Sequence, residues 1–80
     1  MDKNEFEGKW KLIRNQTREW WSLITESDLS KIDRADIKLF QYVTLLQLKY
    51  KYDRQAAKDE IEKRVANYET NMRANAITIQ

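Results

Sequence analysis

The stretch RADIKLFQYVTLLQLKY, Arg34 to Tyr50, decides how this chain folds. At helical spacing Ile37, Phe40, Thr44 and Leu48 form one face, while Leu39, Val43, Leu46 and Tyr50 form another. A segment apolar on two sides is either the central helix of its domain or a helix whose surface a second chain covers. Both readings stay open at this level. On the second, Leu39, Tyr42, Leu45 and Leu46 are the candidate interaction surface, and the helix is a route to a homo-oligomer. A buried strand is disfavoured, because only Val43 and Thr44 are β-branched between Tyr42 and Leu48.

Upstream, Asp33 and Asp36 carry the signature of helix caps and place the start of this third helix near Arg34. Thr25 followed by Asp28 gives the same signal for a short second helix bearing Leu29 and Ile32. The first helix is expected to open at Asn4, with Glu7 reaching back to it, and to bury Phe6, Trp10, Ile13, Thr17, Trp20 and Ile24. Trp21 falls at the border of that stripe. Downstream, Asp53 caps a fourth helix whose narrow stripe runs through Ala57, Ile61, Val65, Tyr68 and Met72. Glu60 with Arg64 and Asp59 with Lys63 are i to i+4 pairs suited to its solvated side. After Arg73 the pattern stops, and residues 74–80 are expected to form a frayed tail. The expected fold is all-α: a single domain over residues 1–73, a small bundle of four helices, one of them short, built from helical hairpins.

Composition agrees. In 80 residues there is one glycine and no proline, so the tight turns of sandwiches and barrels have little to build on. Aromatic residues make up 11% of the chain, enough large side chains for a lean core despite 35% charged residues. Cysteine is absent, which removes disulfides and thiolate chemistry and fits a reducing compartment. No segment is long and apolar enough for a membrane span, and the first ten residues have no apolar run of the signal-peptide kind. The expected location is cytoplasmic, with no membrane partner.

Enzyme chemistry is disfavoured by subtraction. Without histidine there is no imidazole base and no Ser-His-Asp arrangement, and with Gly8 as the single glycine there is no glycine-rich phosphate cradle. Carboxylate sets such as Glu26 with Asp28, or Asp59 with Glu60 and Glu62, sit where capping and solvation account for them. No catalytic residue, cofactor or metal site is expected. Net charge is only +2, so a nucleic-acid reading needs a local patch. Lys11, Arg14 and Arg18, with Lys49, Lys51 and Arg54 interleaved with Tyr50 and Tyr52, are the candidates for one. Glu7 and Glu19 dilute the first group, and the two tyrosines also suit a helix-hairpin turn.

The run Glu5-Phe6-Glu7-Gly8-Lys9-Trp10-Lys11, then Arg18-Glu19-Trp20-Trp21, then Leu23-Ile24-Thr25-Glu26-Ser27-Asp28-Leu29 resembles the opening of the CsbD-like general stress proteins, which include the YjbJ-type bacterial proteins. Tyr50-Lys51-Tyr52 is similar to the family's Y-G-Y turn, and residues 62–70 to its E-K-x-V-x-x-W-E-T ending. The resemblance implies a small bacterial helical protein of the stress response, without catalytic residues or cofactors. Its partner would be a macromolecule of unknown identity or another copy of the chain, with a nucleic-acid-binding module as the rival. Three departures stand out: Lys51 replaces the turn glycine, Arg34 and Tyr42 replace glycines of the third helix, and the last two segments are each about one turn longer.

Overall fold

The computed structural model describes residues 1–79, with side chains through Arg73. Five helical segments run through them: α1 (Lys3–Gly8), α2 (Trp10–Trp20), α3 (Glu26–Asp33), α4 (Lys38–Tyr50) and α5 (Arg54–Ile79). No strand occurs among the described residues. The all-α expectation holds, and the count changes because the first helix is two. Asp2, not Asn4, caps α1, accepting the Glu5 N–H at 2.8 Å. The break falls at Lys9, whose N–H is shared between the carbonyls of Glu5 and Phe6, both at 3.1 Å. Gly8 precedes it, where the low helix propensity of glycine makes a break inexpensive.

α4 is the hub, packing against α1, α3 and α5. At its centre Tyr42 is fully buried. Three rings meet it edge-on: Phe6 at 5.3 Å, Trp10 at 6.0 Å and Trp21 at 5.8 Å between centroids. Its hydroxyl lies 2.8 Å from Oγ1 of Thr17, which itself donates to the Ile13 carbonyl at 2.6 Å. Thr17 has one proton and spends it on Ile13, so Tyr42 is the donor and Thr17 the acceptor. A core built around a phenol is thereby left with its polar group satisfied.

Trp20 and Trp21 exchange the expected roles. α2 ends at Trp20, and Trp21 adopts an extended conformation with φ −138° and ψ 93°. Leaving the helical period swings the Trp21 ring into the core, 2% exposed. Trp20 stays partly buried at the edge, against Tyr68 at 6.3 Å.

α3 forms where expected. Thr25 accepts from the Asp28 N–H at 3.1 Å while the Asp28 carboxylate accepts from the Thr25 N–H at 3.0 Å, a complete capping box. The third helix of the sequence reading, however, starts late. α3 continues through Asp33, Arg34 closes it, and α4 begins at Lys38 after Ile37, with no side-chain cap. Asp33 is unavailable for capping because it accepts from Trp10 Nε1 at 2.7 Å and Arg14 Nε at 3.0 Å, fastening α2 to α3.

The α4–α5 hairpin turns at Lys51, the single non-glycine residue with positive φ among the described residues (φ 63°, ψ 22°). Asp53 then caps α5, its carboxylate accepting the Ala56 N–H at 2.7 Å. Ala57, Ile61 and Val65 are buried as the stripe requires, whereas Met72 is 53% exposed. The helix runs on through Ile79, beyond the Arg73 boundary expected from hydrophobic spacing; residues 74–79 contain no glycine or proline to break it.

Two stability measurements check this account. Urea unfolding of Tyr42→Phe should show a loss of about 1 kcal/mol, the net worth of one buried hydrogen bond, and Tyr42→Ala a loss of about 3–5 kcal/mol from the cavity among three rings. Lys51→Gly should raise stability by about 0.5–1 kcal/mol, because glycine enters the left-handed region without the steric penalty lysine bears.

Candidate interaction surface

The residues singled out as an interaction surface are the core itself. Leu39, Tyr42, Leu45 and Leu46 are exposed by 4%, 0%, 6% and 0%. α1, α3 and α5 pack against α4, and the face carrying Leu39, Val43 and Leu46 is consumed within the chain. This settles the two-sided helix as the central one, and corrects the assignment of those four residues as a contact surface.

What remains outside is the greater part of the other apolar face of α4, the one running through Phe40, Thr44 and Leu48. Phe40 is 41% exposed and Leu48 65%, with exposed Thr44 one turn from each. The guanidinium of Arg54 lies over the Phe40 ring at 5.2 Å, and Thr44 Oγ1 donates to the Phe40 carbonyl at 2.9 Å. From Leu39 to Leu48 there is no charged residue, in a chain of which 35% is charged. That charge-free run was visible in the sequence, but it spans every face of the helix, and neither it nor the period of the apolar residues could say which stripe faces out.

The basic candidates divide. Arg14 is held by Asp33 and by Glu26, the latter at 2.8 Å. Lys49 pairs with Asp28 and donates to the Leu23 carbonyl at 2.8 Å. Both cations hold elements together, so they are not presented as an open phosphate-binding charge. Lys11, Arg18, Lys51 and Arg54 are exposed, on α2 and at the α4–α5 turn. The acidic sets are structural as well: Asp59 accepts from Gln55 at 2.9 Å and Glu60 pairs with Arg64 at 3.7 Å. No group of three potential metal-binding side chains occurs among the described residues.

Two hollows open on the surface. One, of about 310 Å³, lies where Lys3 and Glu7 of α1 face Asp36 and Ile37; Glu7 there is engaged by Lys38 at 2.9 Å. The other, of about 470 Å³, lies between α2 and α5, with Leu12, Tyr68 and Met72 on its apolar side and Lys11 and Asn15 on its rim. The ionisable groups on the first are Lys3, Glu7 and Asp36, and those on the second are Lys9 and Lys11 with Tyr68. The Arg64 guanidinium stacks on Trp21 at 4.7 Å, and Trp21 Nε1 and Arg64 Nε in that stack are buried donors without a partner among the described residues; neither hollow reaches them.

Curated relatives match this chain over most of its length. The UPF0337 protein YjbJ of Escherichia coli strain K12 is 34% identical over 70 residues, spanning 88% of this chain and 91% of its own. This chain belongs to the UPF0337 family. The UPF0337 protein of Pectobacterium atrosepticum is 32% identical over 62 residues, spanning 78% of this chain and 86% of its own. YjbJ of Salmonella typhimurium strain LT2 is 34% identical over 70 residues. No family model matches the chain, and no solved structure matches it. The signature residues of the sequence reading have structural duties in this UPF0337 chain: Phe6 and Trp10 pack on Tyr42, Thr25 and Asp28 form the capping box, and Lys51 makes the left-handed turn.

Two carboxylates tie the fold to pH. Burial works to raise the Asp28 pKa, but hydrogen bonds from Lys49 and Thr25 outweigh it and hold the group below its usual value. Asp33 is likewise lowered, first by the hydrogen bond from Arg14 and then by that from Trp10. A depressed folded-state pKa contributes stability above the unfolded-state value and loses it as pH falls through the folded one. Denaturant titrations should therefore show stability falling below roughly pH 4. Asp33→Asn should flatten that fall and lower stability at neutral pH, since Asn keeps an acceptor for Trp10 but removes the charge facing Arg14.

Proposed function

We propose that this protein is a non-enzymatic general stress protein of the CsbD-like kind, cytoplasmic, acting through contact with another macromolecule. The observation that carries the reading is the outer stripe of α4, where Phe40 and Leu48 are held outward on a helix otherwise occupied by the core. Large apolar side chains on a charge-free helical strip are the composition of an interface centre rather than of a solvated surface. UPF0337 membership supports placing the chain among the CsbD-like proteins, in line with the resemblance of residues 1–33.

Contact through a rigid scaffold fits the way α4 is held. Three neighbouring elements fix its orientation, so its outer stripe is presented without ordering cost on binding. Cofactors and metal ions have no part in this mechanism. Nothing in the geometry favours the nucleic-acid reading, because Arg14 and Lys49 are committed to carboxylates.

The test is capture from stressed bacterial cells with the tagged protein, wild type against Leu48→Glu. Leu48 is 65% exposed, so the variant should keep its helical circular dichroism and thermal midpoint while losing at least 80–90%, roughly, of specifically captured material. Unchanged capture by Leu48→Glu would remove α4 as the contact surface.

A further inference from the structure

The outer stripe of α4 also indicates what covers it. Its sequence is symmetric about Thr44: Phe40 and Leu48 lie four residues to either side, Gln41 and Gln47 three residues to either side. An interface between two identical helices related by a two-fold axis pairs each residue with its mirror position on the other copy. With the axis at Thr44, that operation sets Phe40 opposite the partner's Leu48 at both ends of the stripe, apolar against apolar.

The ends of the stripe agree. Asp36 lies just before α4 and Lys51 just after it; both are exposed, and neither enters an ion pair among the described residues. Their neighbours Lys38 and Lys49 are already paired, with Glu7 and Asp28. Asp36 and Lys51 stand eight and seven residues from Thr44, so an antiparallel pairing of two α4 helices brings the anionic end of one to the cationic end of the other, twice by symmetry. Antiparallel helices also oppose their dipoles. At the axis, Thr44 is small enough for close approach, and its hydroxyl is already satisfied by the Phe40 carbonyl.

We propose that a second copy of this chain is the occupant: two α4 helices pack antiparallel about a two-fold axis through Thr44, Phe40 against the partner's Leu48 and Asp36 against the partner's Lys51. This rests on the reading of the α4 stripe as the contact surface and names its partner. A single helix face from each copy buries on the order of 1,000 Å² in total, the lower end for a specific interface, so the dimer is weak, with half-dissociation at roughly 10–500 µM.

Sedimentation velocity of the purified full chain over a concentration series tests it, each variant first shown to retain helical circular dichroism. Wild type should pass from monomer to dimer within that range. Leu48→Glu should weaken association at least tenfold, roughly, by placing a charge in the apolar centre. Asp36→Lys or Lys51→Asp alone should weaken it about three- to tenfold, and the two together should restore it to within about twofold, because the exchange recreates both contacts in reverse. Met72→Glu, at an exposed apolar position on α5, should leave it unchanged. A wild type monomeric at about 1 mM, a double exchange that fails to recover, or loss of the dimer in Met72→Glu would each overturn the proposal. If wild type is monomeric while Leu48→Glu still abolishes capture from stressed cells, the contact reading stands and self-pairing fails. If the dimer behaves as described and capture is indifferent to Leu48, the dimer stands and the functional reading fails.

Discussion

A phenol cannot sit in an apolar interior without a partner for its hydroxyl, and the fold is arranged around meeting that condition for Tyr42. Thr17 accepts from it, and Thr17 does so because its own proton is committed to the Ile13 carbonyl one turn earlier in α2. The distance between α2 and α4 is thus set by one hydrogen bond. Phe6, Trp10 and Trp21 then close on the tyrosine ring from three directions. Burial pushes the Tyr42 phenol well above its ordinary pKa and keeps it a neutral donor at neutral pH. Tyr42 stands where the family resemblance has glycine, and the ring occupies volume that glycine leaves to neighbouring side chains.

Around that centre, polar side chains act as fasteners. Asp33 joins α3 to α2 through Trp10 and Arg14, Asp28 joins α3 to the end of α4 through Lys49, and Lys9 and Lys38 bind α1 to α5 and α4 through Glu69 and Glu7. Apart from the largely buried Asp28–Lys49 pair, these ion pairs are exposed enough to add little free energy each. Their effect is on register: they select which face of each short helix turns inward, in a domain whose apolar surface alone is small. The same commitments remove Arg14 and Lys49 from any open basic surface.

Much of the architecture was legible along the chain. The capping box at Thr25, the Asp53 cap and the stripe Ala57, Ile61 and Val65 all follow from local chemistry, and local chemistry is what a sequence states directly. The misreadings share one cause. Asp33 looks like a cap and is a tertiary fastener; Trp20 is in phase with the helix and Trp21 is not, yet Trp21 is the core residue because the helix stops between them.

By itself the sequence determined an all-helical chain with a two-faced third helix and no imidazole or glycine-rich loop to build conventional catalysis on, because periodicity, capping and residue type are properties of neighbours along the backbone. The tertiary structure decided which stripe of α4 meets water. Leu39, Tyr42, Leu45 and Leu46 went inward, and Phe40, Thr44 and Leu48 outward, since α1, α2, α3 and α5 pack against the inner side of α4 and leave that stripe open. Hydrophobic spacing ranks the faces of a helix but is blind to how many neighbours will arrive. That number is a property of the assembled chain.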